Sequence, residues 1–456
     1  MKTTLIGALL VALYLVLAIR TPAGISPFGN RTDTLAFYCG ARVVAAGADP
    51  YRAEPLRTCE HSAQRAVGID PIANLVVPAP LPGYALALLR PLANLSYPVA
   101  LAVWFGILAA AVAITVVLMW RMTGLPRLPL AVAFFGADAY ASISLGQIVP
   151  LVVLAIVAAA TAARTGNPRR AALFAGCALV EPHLGLPIVL ALALFVPRTR
   201  LILASIVLGL GILSVASLGL ERNIEYFTAA LPAQARGEGL EFHRQYSLSA
   251  LLSVMGVPAR VALRAGSLSY VGALVAGLAL ARRARATFDE PAMIVIVPAA
   301  IVLVGGAYAH IAQMAAALPL GCVLVARTTG VSRRVAIAAT VCLAIPWQTL
   351  ASEPTIAALF PATPSIDPVP LLARVSAGSR LASDAWDAWN ATIANRDHRT
   401  TLEVLLGKLP TWFGLVALAV LATLPATTKE SVERRGTGYE NTTTRTTPRA
   451  RSLRSN

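Results

Sequence analysis

Apolar residues dominate stretches 99–120, 128–144, 201–220, 261–281, 292–308 and 335–347, and short polar turns separate them. Runs of this kind approach the roughly 20 residues that a helix needs to cross a bilayer's hydrocarbon. Lipid cannot satisfy stray backbone groups, so open-ended segments there must be helical. The pattern predicts an all-α, polytopic integral membrane protein. Residues 1–19 place Lys2 before another apolar run. No small-residue cleavage site closes that run before Arg20, Pro22 and Pro27, which reads as a retained first helix rather than a signal peptide.

Stretch 171–196 is too long for one level helix and too short for two full spans, and Glu181, Pro182, His183 and Pro187 interrupt it. Proline removes a backbone donor and clashes with the preceding turn. We therefore expect a broken hairpin of two half-helices. With that reversal, the basic turns at Arg121/Arg127, Arg164/Arg169/Arg170, Arg198/Arg200, Arg282/Arg283/Arg285 and Arg327/Arg333/Arg334 all fall on one side. The positive-inside rule makes that side cytoplasmic. The expected topology is about 12 membrane segments within a transmembrane domain at 1–426, with both termini cytoplasmic in a multi-pass cell-membrane protein. Three long polar stretches, 20–95, 221–245 and 351–405, then face outward, where function concentrates. The third holds Trp386 and Trp389, which favour the headgroup zone. The tail at 427–456 is rich in Thr, Arg, Ser and Gly, a composition that predicts a disordered basic segment.

Composition agrees: 57% of the 456 residues are hydrophobic and 13% charged, with a mean hydropathy of +0.69. The formal charge of +16 sits mostly in the short turns, so lipid headgroups and not nucleic acid are its partner. The five cysteines show no metal spacing. Cys177, Cys322 and Cys342 lie in apolar segments, whereas Cys39 and Cys59 share the first outer stretch, where a disulfide is open to them. No cofactor is called for and no acidic metal pair stands out.

Asp33 is placed to begin a helix that Gly47 ends, with Tyr38 close beside it and Asp49, Pro50 and Tyr51 following as a turn. Locally, a helix cap explains Asp33 as well as chemistry does. Polar residues in apolar settings include Asp138, Gln147, Glu181, His183, Arg264 and His310. Arg264, read as buried in a span near its outer end, is a functional suspect or a snorkelling side chain. Gln147 and His310 suit interhelical hydrogen bonding or substrate contact equally. Glu181 and His183 stand at the break between half-helices, where unpaired backbone groups meet ligands at membrane depth.

The order of these motifs resembles the polyprenyl-phosphate-dependent mannosyltransferases of glycosyltransferase family 87, membrane enzymes of the GT-C fold. The matching pieces are Asp33 with Tyr38 and Gly47–Tyr51, Pro82 to Pro91 leading to Trp104, Gly146 with Gln147, Glu181 to His183, Gln245 to Leu248, and Tyr308 to His310 ahead of Pro319. The resemblance implies inverting transfer of a sugar, mannose by the family's habit, from a polyprenyl-phosphate donor to a glycolipid or cell-envelope glycan on the outer face. Asp33 falls where the family carries its catalytic aspartate, and Tyr38, Asp49 and Tyr51 where the acceptor cleft would be. One base suffices, because the leaving polyprenyl phosphate is already a stabilised anion. The family often has lysine where this chain has Glu181, so His243, Arg244, Gln245 and Arg264 become candidates to meet the donor phosphate, with Gln147, His183 and His310 beside them. The rival readings are a transporter or flippase of a lipid-linked substrate, and a catalytically inactive family member.

Overall fold

The structure is a computed structural model that describes residues 32–69, 71, 76–138, 142–143, 145–242, 245–345, 347, 381–384 and 401–424. The expected first helix, the tail and most of stretch 351–405 lie outside these residues. Helices make up the architecture: α1 (Thr32–Ala45), α2 (Ala53–Ala66), α3 (Gly83–Leu88), α4 (Arg90–Ala93), α5 (Tyr97–Thr123), α6 (Arg127–Asp138), α7 (Val149–Arg164), α8 (Pro168–Cys177) and α9 (Pro182–Phe195). They continue as α10 (Arg200–Glu225), α11 (Leu231–Gly237), α12 (Leu248–Val254), α13 (Ala259–Phe288), α14 (Met293–Ile301), α15 (Leu318–Arg327), α16 (Gly330–Ala344) and α17 (Thr401–Thr423). Among the described residues there is no strand, only isolated bridges between Arg52 and Leu381 and between Gln245 and His310.

Among the described residues, four helical stretches are long and apolar enough to cross a membrane: Tyr97–Thr123, Pro197–Gly237, Ala259–Phe288 and Thr401–Thr423. Their outer faces confirm the solvent. Val99, Val103, Ile107, Ile114 and Val117 stand exposed along α5, and Leu402, Leu406, Leu409, Phe413, Val416 and Val420 along α17. The three-to-four-residue spacing makes each a continuous apolar stripe. Water would not tolerate stripes of that extent on a folded protein, whereas lipid does. α14 is the converse, with every residue from Met293 to Ile301 buried, packed against α7, α9 and α13 at the centre of the bundle.

The break expected at Glu181 is present. α8 runs through a short 3-10 turn, Ala178–Val180, to Glu181 in a non-helical conformation, and α9 starts at Pro182. α8 also contacts Pro197–Thr199 beyond the far end of α9, so the chain doubles back on itself. The polar stretch 221–245, read from the sequence as a loop, is largely helical instead. Gly219, at φ 78°, breaks the long helix there, and Asn223 stitches the break by donating to the carbonyls of Ser214 and Gly219.

At the ends carrying the basic turns, Glu290 is buried between Arg164, 3.6 Å away, and Arg327, which donates to it. This joins the ends of α7 and α15 to the turn after α13. At the opposite end α1 and α2 pack together, and a disulfide between Cys39 and Cys59 links them.

Candidate functional site

α1 begins one residue before Asp33. The backbone N–H groups of Asp33 and Thr34 both donate to the carbonyl of Leu145, at 3.1 and 3.2 Å, so the first turn of α1 is closed by a loop more than a hundred residues away. Oδ2 of Asp33 accepts a 2.8 Å hydrogen bond from Nε2 of Gln147. The approach depends on Gly146. Its φ of 78° suits glycine, and a Cβ built there would stand 1.7 Å from the Thr34 hydroxyl. Trp104 of α5 donates through Nε1 to the Gly146 carbonyl at 2.8 Å and meets the Phe37 ring edge-on. The loop that holds Asp33 is therefore itself held.

A second group gathers around Tyr308. Its hydroxyl donates to Oε2 of Glu238 at 2.8 Å, and its ring stands edge-on to His310 and His183, with centroids 4.8 and 6.5 Å away. The charges of Glu238, Glu181 and Asp33 all act on Tyr308, with Glu238 first among them. Glu181 accepts from Nε2 of Gln313 at 3.2 Å and stands 3.6 Å from Nδ1 of His183. Nε2 of His183 is buried without a hydrogen-bond partner, which leaves it as the ring atom available to a ligand.

His310 opens the 3-10 helix Ile311–Ala317 in a reciprocal cap with Gln313. Its Nε2 lies 3.0 Å from Nε2 of Gln245 and 3.6 Å from Oε2 of Glu238. The backbone N–H of Ala309 donates to Oε1 of Gln245 at 2.8 Å, and the N–H of Tyr246 to the carbonyl of Ala309 at 2.7 Å. Residues 245–246 and 309–310 are thus zipped together. Burial pushes the Glu238 carboxyl up, but His310, Tyr308 and Gln234 outweigh it and hold the group below its ordinary value.

Of the residues singled out from the sequence, Asp33, Gln147, Glu181, His183, Gln245 and His310 are brought into this region. His243 and Arg244 lie outside the described residues. Arg264, expected buried in a span near its outer end, does lie in the second turn of the candidate span α13, but it is exposed there rather than buried. The three residues assigned to the acceptor are engaged in holding the described parts of stretch 20–95 together. Tyr38 donates to the Leu95 carbonyl and accepts from Arg42, Tyr51 donates to the Leu81 carbonyl, and Asp49 accepts from the Tyr51 N–H and pairs with Arg52.

Sequence reasoning passed over Glu238, Gln313 and Lys408. Lys408 is 0% exposed in α17, and its ammonium donates to the Gln245 carbonyl. The signal was available, because a lone lysine inside an apolar run is costly wherever it cannot reach water. Among the described residues no group of three or more His, Cys, Asp or Glu side chains is placed to hold a metal ion.

No curated protein and no solved structure matches the chain. Residues 82–305 match the model of glycosyltransferase family 87, which supports the family resemblance carried by the motifs from Pro82 to Leu248.

Proposed function

We propose that this membrane protein transfers a sugar, mannose by family habit, from a polyprenyl-phosphate donor to a glycolipid or cell-envelope glycan, with inversion, on the extracytoplasmic side of the cell membrane. Asp33 is the base. It takes the proton of the acceptor hydroxyl as the acceptor oxygen bonds to the anomeric carbon. The bond from that carbon to the phosphate oxygen breaks on the opposite face, and polyprenyl phosphate leaves as the anion. The observation that carries this reading is the hydrogen bond from Gln147, inside the family match, to Asp33, outside it.

Two further features support it. The half-helix break supplies His183, whose buried Nε2 suits a donor phosphate oxygen, with Glu181 beside its Nδ1 in place of the family's lysine. A groove of about 220 Å³, lined by Tyr84, Leu88, Leu173, Cys177, Val180 and Leu210 among others, reaches from exposed leucines to the residue before Glu181. The donor's isoprenoid chain lies there in this reading. About 12 membrane segments, with both termini cytoplasmic, put the Cys39–Cys59 disulfide on the oxidising side, where such bonds persist.

The experiment is sugar transfer by membranes containing wild type or Asp33→Asn, given labelled polyprenyl-phosphate sugars and native lipid extract as acceptor. Consumption of one donor by wild type, reduced at least about a hundredfold in the folded variant, supports the reading. Equal rates for the two proteins would dismiss Asp33 as base.

A further inference from the structure

α17 lies beyond the family match, and one of its faces grips Phe242, Gln245 and Tyr246. Val404, Lys408 and Trp412 follow at four-residue intervals and so share that face. Val404 packs with Phe242 and Ala250. The ammonium of Lys408 lies 4.7 Å from the centre of the Phe242 ring and 4.6 Å from that of Tyr246, and donates to the Gln245 carbonyl between them. Nε1 of Trp412 donates to the carbonyl of Tyr246 at 3.2 Å, and the two rings meet edge-on. A buried lysine is retained against its desolvation cost only where carbonyls and aromatic faces replace water, and this one has both.

The grip bears on Phe242 and on Gln245 with Tyr246. From Gln245 it passes on directly. The side chain of Gln245 contacts Nε2 of His310 and accepts from the Ala309 N–H, and His310 in turn stands beside Glu238.

We propose that Lys408 is a positioning residue of the site: it fixes Gln245 and the rings of Phe242 and Tyr246, and through Gln245 it fixes His310. The inference rests on the transferase reading for its catalytic part and stands apart from it for its structural part. Lys408 touches no reacting atom in it; the residue acts through Gln245.

The test uses the full-length protein in lipid nanodiscs, as wild type, Lys408→Met and Trp412→Phe, with two readouts. Hydrogen exchange of peptides covering 241–248 and 305–313 is expected to accelerate at least about tenfold in Lys408→Met and less in Trp412→Phe, with 150–163 unchanged. Unchanged exchange at 241–248 overturns the proposal. In transfer assays, Lys408→Met is expected to lower kcat about tenfold while KM for the acceptor moves less than about threefold. A purely structural lysine would lower the melting temperature and leave kcat of the folded fraction at the wild-type value, which also overturns it. Absence of transfer by wild type with every donor sinks the transferase reading and the catalytic part of this inference, and the exchange comparison still decides whether Lys408 holds Gln245.

Discussion

Gln147 and Asp33 are 114 positions apart and joined by a 2.8 Å hydrogen bond in which the amide donates to the carboxylate. A neutral donor on one carboxylate oxygen fixes the direction of the group without neutralising it. Gln147→Leu keeps the volume and removes the donor. A hydrogen bond to a charged group contributes about 1.5–3 kcal/mol, so transfer is expected to fall roughly ten- to hundredfold, less than in Asp33→Asn. Rates of the two variants measured with one donor give the order; a silent Gln147→Leu would mean that Asp33 is oriented by something else.

Gly146 should tolerate no side chain. Alanine there would combine a left-handed φ with a contact at 1.7 Å to the Thr34 hydroxyl, and either Thr34 or the loop must move. Gly146→Ala is expected to cost about 2 kcal/mol or more in stability. It should also abolish most transfer, because Asp33 is the next residue back from Thr34. Thermal unfolding and activity of the purified variant test this together, and a stable, active protein would contradict the packing.

Much of this arrangement was legible in the residues, and the reasons differ by residue. Pro182 announced the half-helix break because proline acts on the backbone locally, whereas Pro187 is carried inside α9 without breaking it. Asp33, Gln147 and His310 were legible as polar groups in motif order, but their convergence is tertiary and no local pattern encodes it. Tyr38, Asp49 and Tyr51 occur in the same motif as Asp33, yet hydrogen bonds direct them to backbone carbonyls and a turn. Spacing alone cannot distinguish a residue that shapes a cleft from one that lines it. Lys408 escaped notice because a lysine near the end of an apolar run ordinarily reaches the headgroups, and only the rings of Phe242 and Tyr246 reveal that it turns inward.

Two buried carboxylates should give stability opposite dependences on pH. Burial raises the Glu60 carboxyl well above its ordinary value, against the Val77 N–H and Arg57. From the unfolded value near about 4.3 up to that raised value, the folded chain keeps a proton that the unfolded chain releases. Its stabilising effect is full at low pH and is lost as pH rises through the window. Glu238 is held below its ordinary value, so its effect is present above the unfolded value and is lost as pH falls through the folded one. Melting temperatures over a pH series should therefore lose their alkaline-side decline in Glu60→Gln and their acid-side decline in Glu238→Gln. Curves parallel to wild type would refute both assignments.

The Cys39–Cys59 bond closes a loop with a sequence separation of 20 and ties α1, which carries Asp33, to α2. Loops of that size are worth about 3 kcal/mol. A Cys39→Ser, Cys59→Ser double variant is expected to melt earlier by that equivalent, and reductant should shift wild type the same way while leaving the variant unmoved. Insensitivity of wild type to reductant would argue that the bond does not form.

The lengths of the membrane helices bear on the bilayer itself. α5 has 27 residues, which span about 40 Å, whereas the hydrocarbon is about 30 Å thick. A helix so much longer than its slab leans, or carries its last turns into the headgroups, and the lean follows local thickness. Trp104 belongs to that helix and holds the Gly146 carbonyl, one residue from the glutamine that orients Asp33. Membrane thickness thus has a mechanical route to the carboxylate, and the same polypeptide in a thinner or thicker lipid sheet would present Asp33 at a different angle.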